Sequence, residues 1–146
     1  MVTRTADAQW NGGLKDGQGQ IKLGSGAFQG EYSFPSRFES GKGTNPEELI
    51  AAAHAGCFSM ALAAGLGKAG FSPKQVRTTA KVHLNKVGEG FEINQIDLHC
   101  EAEVPSIDEP TFKREADNAK ANCPVSKLYK GAQINLTAQL KSPQHA

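Results

Sequence analysis

Three cysteines and four histidines carry the most reactive side chains of this 146-residue sequence, and their surroundings set them apart. Cys123 directly precedes Pro124 at the start of an expected helix. There, unpaired backbone N–H groups and the positive end of the helix dipole favour a thiolate. Cys57 lies in a segment of small apolar residues, where burial raises a thiol's pKa unless a cation comes near in space. His54 precedes it by three residues, on the same helix face. A Cys/His pair for nucleophilic catalysis is one reading of that spacing, and a buried histidine bonded to its surroundings is the other. Each cysteine also admits the plain reading of a small buried hydrophobe, which Cys100, in phase with the apolar side of a strand, fits best. His83 and His99 fall out of phase with their strands and are expected in solvent. No Cys-x-x-Cys or Cys/His ligand spacing is present, so neither a metal site nor a structural disulfide framework is expected.

The elements that must position these groups follow from turn and periodicity signals. Alternating runs at Thr5–Trp10, Gln18–Leu23 and Ala27–Phe34, separated by glycine-rich turns, predict a three-stranded meander. Asn45-Pro46-Glu47-Glu48 then opens a helix. Asn45 suits the N-cap, Pro46 the first turn and Glu48 the third position, or Thr44 caps with Glu47. From Leu49 to Gly67 no Lys, Arg, Asp or Glu occurs, a run of roughly 28 Å as helix. Its many alanines and glycines argue against a membrane span and for a helix buried on all sides, which one chain of this size can scarcely cover, so a second chain is expected to help.

Val76 to Leu84 alternates with even positions apolar, and Val87-Gly88-Glu89-Gly90 turns it into a hairpin. The return strand changes parity near Asn94-Gln95, which predicts a β-bulge. A polar helix over Glu109–Ala121, a short one from Pro124 to about Lys130, and a last strand over Ala132–Leu140 complete the order βββ-α-ββ-αα-β. Hairpin-linked strands in that order predict an α+β fold with largely antiparallel sheet. The length predicts a single domain over 1–146, with a disordered tail from about Ser142. Sixteen Lys and Arg balance 15 Asp and Glu without clustering, so nucleic acid and anionic membrane are not expected partners. The polar N-terminus has no secretory signal, and the expected compartment is the cytoplasm.

Two stretches together resemble a known family. Arg37-Phe38-Glu39-Ser40-Gly41-Lys42-Gly43-Thr44-Asn45-Pro46-Glu47-Glu48, continuing through His54-Ala55-Gly56-Cys57-Phe58 to Leu62, and then Asn122-Cys123-Pro124-Val125-Ser126, resemble the osmotically inducible protein C (OsmC) family, which is related to the organic hydroperoxide resistance (Ohr) proteins. The likeness runs from Gln9-Trp10 to Leu140-Lys141-Ser142. It implies a thiol-dependent peroxidase that reduces organic hydroperoxides, and hydrogen peroxide less well, in stress defence. Under it, Cys57 is the peroxidatic cysteine and Cys123 the resolving one. Arg37 polarises the peroxide and stabilises the thiolate, and Glu47 pairs with that arginine. It further implies no cofactor, an intertwined homodimer whose sheets wrap two central helices, and a dithiol reductant, either a lipoyl protein or a small thiol.

Helix geometry adds a constraint. Ten residues of straight helix place Glu47 and Cys57 roughly 15 Å apart along the axis and about 280° around it, so a bent helix or an Arg37–Glu47 pair delivered across a dimer interface is required. A resolving role for Cys123 demands Cα atoms within ~4.4–6.8 Å of each other, across 66 residues of sequence. Phe58, Met60 and Leu62 suit an apolar substrate tail or the core alike. A non-catalytic dimeric ligand-binding module of the same fold, and a Cys57/His54 hydrolase, remain the competing readings.

Overall fold

The computed structural model describes residues 1–141; the tail expected from Ser142 lies outside them. The chain divides into two compact units, Met1–Leu49 and the part from Ile50 onward.

In the first unit, β1 (Ala6–Asn11), β2 (Gln18–Leu23) and β3 (Gln29–Tyr32) form an antiparallel sheet in that order. Gly19 of β2 pairs with Trp10 on one side and Tyr32 on the other. The two rings close over it with centroids 5.2 Å apart. A Cβ at Gly19 would stand 2.5 Å from Tyr32 and 2.6 Å from Trp10, so the aromatic pair requires glycine between them. The strand expected to reach Phe34 instead ends at Tyr32, and the chain turns into a short helix α1 (Phe34–Phe38). Its signal is a capping box built from two serines: the Ser36 N–H donates to Ser33 Oγ at 3.2 Å and the Ser33 N–H to Ser36 Oγ at 2.8 Å. Ser36 Oγ also donates to the Thr44 carbonyl at 2.8 Å, and Asn45 Nδ2 to the Ser36 carbonyl at 3.0 Å. The turn after α1 is thereby fastened to the start of the next helix.

That helix, α2 (Pro46–Lys68), is continuous. Asn45 caps it, its Oδ1 accepting the Glu48 N–H at 2.7 Å, while Thr44 Oγ1 bonds the Glu48 carboxylate instead of forming a box with Glu47. At the far end the Phe71 N–H reaches the Leu66 carbonyl and the Gly70 N–H the Gly67 carbonyl. With Gly70 at φ +94°, this is a Schellman stop. A single chain covers one stripe of α2 and leaves much of the rest of the helix bare. His54, Phe58, Leu62 and Leu66, four residues apart in turn, are fully buried, whereas Ala52, Ala53, Gly56, Ala64 and Gly67 are exposed and Met60 is 77% exposed. Small side chains kept the helix apolar all round in sequence, but one stripe alone carries enough bulk to pack. By length and composition α2 would also suffice to cross a membrane.

From Ile50 onward, β4 (Gln75–Val87), β5 (Gly90–Glu103) and β6 (Gln133–Leu140) form the second sheet in that order. The β4–β5 hairpin turns at Gly88, φ +61°. Its register shifts where His83 faces Gln95 but Leu84 faces Ile93, leaving Asn94 as the expected bulge residue. The β5–β6 pairing is parallel, because α3 (Glu109–Asn122) and α4 (Pro124–Leu128) intervene as a crossover. The sheet's inner face, Ile96, Leu98, Cys100 and Ala102 of β5, packs with Phe58, Leu62 and Leu66 of α2 and with Phe112, Ala116 and Ala119 of α3. At ~1.5–3 kcal/mol for each large apolar side chain buried, this cluster fixes the faces that α2 and α3 present.

Candidate active site

Cys123 stands at the joint where α3 ends and α4 begins, serving as C-cap of one and N-cap of the other. Its N–H closes α3 on the Ala119 carbonyl at 2.9 Å, and its carbonyl accepts the Lys127 N–H at 3.1 Å. Pro124, which lacks an N–H to donate, fits the first turn of α4 at no cost. The thiol so held is buried, and its sulfur lies 2.7 Å from that of the partly exposed Cys57 on α2. The chain thus brings together two thiols 66 residues apart. Cys100 is elsewhere: it faces the core from β5, fully buried.

Burial is the main force on Cys57 and pushes its pKa up; the bond with Cys123 pushes it further the same way, and the main-chain N–H of Val125 in α4 pulls it down. With burial dominant, the thiol is mostly protonated at neutral pH unless a cation is brought to it.

His54 is fully buried one turn before Cys57. Its Nε2 bonds Ser126 Oγ of α4 at 2.8 Å, and its ring meets the Tyr129 ring edge-on at 5.9 Å. Burial lowers its pKa. The imidazole is engaged with Ser126, so the hydrolase pairing with Cys57 finds no hydrogen bond in the geometry. Ser126 is a site residue that the linear reading did not single out. It stands three positions after Cys123 at the end of the Asn122–Ser126 stretch, as His54 stands three positions before Cys57.

In the first unit, Arg37 at the end of α1 and Glu47 at the start of α2 form a two-pronged ion pair, Nε to Oε1 at 3.1 Å and Nη2 to Oε2 at 2.9 Å. The geometry is the fork-to-carboxylate fit that holds a guanidinium in one orientation. Glu47 is largely buried, its side chain 10% exposed, while Arg37 remains 37% exposed, leaving its other donors accessible. Arg37 also lies over the Phe38 ring at 5.2 Å and lines a pocket of about 210 Å³ walled by Trp10, Leu14, Tyr32, Phe34 and Phe38. Of the three residues that suit a substrate tail or the core alike, Phe58 and Leu62 are sealed in the core and Met60 is exposed.

His83 and His99 are part-exposed, as expected, though not free: His83 Nε2 donates to Asp97 at 2.7 Å and His99 Nε2 lies 3.5 Å from Glu101. Among the described residues no group of three or more His, Cys, Asp or Glu could hold a metal ion.

Residues 39–138 match the family model for OsmC-like protein. The peroxiredoxin OsmC of Escherichia coli K12 is 51% identical over 142 residues, spanning 97% of this chain and 99% of its own. The organic hydroperoxide resistance protein of Xanthomonas axonopodis pv. citri is 30% identical over 142 residues, 95% of each chain. Among solved structures, the OsmC organic hydroperoxide resistance protein of Legionella pneumophila superposes with a TM-score of 0.73 at 23% identity, covering 95% of this chain and 99% of that one. The OhrB protein of Bacillus subtilis does so with a TM-score of 0.68 at 25% identity, covering 94% and 98%. With the family model matched over more than half the chain and a relative identical at every second position along nearly its full length, this protein belongs to the OsmC family.

Proposed function

We propose that this protein is a thiol-dependent peroxidase that reduces organic hydroperoxides, with Cys57 as the peroxidatic and Cys123 as the resolving cysteine. The observation that carries the reading is the meeting of two sulfurs, 2.7 Å apart, from helices far apart in sequence. The Cys57 thiolate attacks the distal peroxide oxygen; the O–O bond breaks, Cys57 becomes a sulfenic acid, and the departing alkoxide takes a proton to leave as alcohol. The Cys123 thiol then displaces the hydroxyl as water, giving the disulfide. A dithiol reductant, a lipoyl protein or a small thiol, restores both thiols, which assigns the enzyme to a reducing compartment, the cytoplasm.

The first step needs a cation, because burial raises the Cys57 pKa. Arg37, held in place by Glu47, is the proposed source, and the aromatic pocket that it lines receives the apolar tail of the hydroperoxide. Ten residues of helix between Glu47 and Cys57 amount to roughly 15 Å of rise, so the pair is proposed to act on the Cys57 of a partner chain. The bare face of α2 around Gly56 and Met60 is the natural seat for that partner, since an exposed apolar stripe of such small residues invites close helix packing. The names of the E. coli and Xanthomonas relatives agree with the activity.

The test is to mix fully reduced protein with a slight excess of an alkyl hydroperoxide, quench by alkylation, and map the products by mass. A stoichiometric Cys57–Cys123 disulfide within seconds supports the peroxidase. Its absence, with both thiols recovered, points to a ligand-binding module. Light scattering at assay concentration completes it: a fully active monomer would remove the shared site.

A further inference from the structure

The imidazole of His54 has no role in the peroxidase steps above, yet it is held at the heart of the second unit. It is fully buried, and its Nδ1 has no hydrogen-bond partner among the described residues. An unpaired buried nitrogen is a cost that an aliphatic side chain of the same volume would avoid, so a gain must come from the other ring nitrogen. That nitrogen, Nε2, bonds Ser126 at 2.8 Å. The helices α2 and α4 therefore meet on two rungs, His54 to Ser126 and Cys57 to Cys123, each three residues from the other along its own helix. Val125, between Cys123 and Ser126, directs its main-chain N–H to the Cys57 sulfur. Everything that α4 offers Cys57 rides on a helix of five residues, too short to hold its own place. The cysteine rung cannot supply that hold during turnover, because its two sulfurs are the atoms that change partners.

We propose that His54 is a positioning residue for both cysteines: through Ser126 it sets α4, and with it the Val125 N–H and the Cys123 thiol, against the Cys57 sulfur. The inference rests on the peroxidase reading for its meaning in turnover, although the geometry itself can be tested without peroxide. In the resolving step the S–O bond of the Cys57 sulfenic acid breaks, the S–S bond to Cys123 forms, and the Cys123 proton leaves with the hydroxyl as water. His54 donates nothing to that balance. It keeps the attacking sulfur within reach while the S–O bond is still intact.

Three variants of the full chain decide it: His54→Ala, Ser126→Ala, and His54→Gln, whose amide nitrogen can reach Ser126 where Nε2 does. The first readout is the pH dependence of Cys57 alkylation in reduced, folded protein. Both alanine variants should alkylate several-fold faster at neutral pH, because a loosened α4 relieves the burial and the Cys123 bond that raise the Cys57 pKa, and these outweigh the lost Val125 N–H; His54→Gln should return the profile most of the way to wild type. The second is the product after a fixed excess of alkyl hydroperoxide, where the alanine variants should accumulate sulfinic acid at Cys57 at the expense of disulfide. A structural role alone would lower the melting temperature and leave the alkylation profile of the folded protein unchanged. Unchanged profiles in folded His54→Ala and Ser126→Ala would overturn the proposal, as would a His54→Gln protein no better than His54→Ala. Should His54→Ala fail to fold, Ser126→Ala, which keeps the ring, decides alone. A shifted alkylation profile with no peroxide consumption in the wild type would leave the positioning intact and sink the peroxidase reading instead.

Discussion

Replacing Cys123 by serine tests the resolving step with a change of one atom. Serine keeps the length of the side chain at the α3–α4 joint and is itself a good N-cap, so α4 should stay in place while the sulfur is lost. In the wild type the two sulfurs lie 2.7 Å apart. One thiol confined within that radius corresponds to a local concentration on the order of 10 M from proximity alone. In the variant, the Cys57 sulfenic acid must be met by a thiol from solution. At 1 mM that thiol competes at a disadvantage of about 10⁴-fold, or ~5.5 kcal/mol in the barrier. The assay is rapid mixing of reduced protein with one and then several equivalents of an alkyl hydroperoxide, with a sulfenate trap in parallel and mass analysis of the Cys57 peptide. The variant should consume one equivalent at the wild-type rate, trap as sulfenic acid, form no intramolecular disulfide, and pass to sulfinic acid as peroxide is added. A Cys100→Ala control should behave as wild type. Sustained wild-type turnover of Cys123→Ser with a monothiol, or loss of the disulfide in Cys100→Ala, would refute the assignment.

Other expectations rest on separate parts of the structure. Arg37→Gln, which removes the charge proposed to hold the Cys57 thiolate, should move the pH profile of Cys57 alkylation to higher pH and slow peroxide consumption about tenfold or more at neutral pH; an unmoved profile would take Arg37 out of the site. Phe58→Ala empties a fully buried position of the core and should cost ~3–5 kcal/mol in urea unfolding, whereas Met60→Ala, on the exposed face, should cost the chain itself little and instead weaken the proposed dimer, as read by light scattering over a dilution series. Asp97 accepts hydrogen bonds from Asn135, His83 and Gln95, which hold its carboxyl at about 2 rather than 3.8. Since the folded value is the lower one, its contribution is present above pH 3.8 and is lost as pH falls toward 2. Asp97→Asn should flatten that acid limb of the stability curve, and parallel limbs for variant and wild type would count against the network.

Most elements were legible because their signals are local. The N-cap at Asn45, the hairpin at Gly88 and the bulge at Asn94 each follow from a few neighbouring residues, and each is where the residues place it. The short helix α1 escaped because its box is Ser33 with Ser36, where the usual partner is Glu or Gln. The parallel β5–β6 pairing follows from the intervening helices rather than from the pattern of either strand. For α2, hydropathy registers alanine and phenylalanine alike as apolar, while packing depends on bulk, so the sequence showed an apolar cylinder and the fold uses one stripe. At the site, Cys57 and Cys123 were recognisable through motifs. The bond from His54 to Ser126 joins residues 72 positions apart, and nothing in either neighbourhood announces it.

Cys100 lies behind β5 with no exposure to solvent, its thiol raised further by burial and contacted by the Thr78 hydroxyl. A slow reagent can reach it only while the sheet is open, so its rate of labelling is the fraction of time spent open multiplied by the intrinsic rate of a free thiol. The protein therefore carries its own gauge of unfolding. In a sample exposed to oxidant, the states of Cys57 and Cys123 would record turnover under the proposed mechanism, while any adduct on Cys100 counts molecules that had lost their fold before they met the reagent.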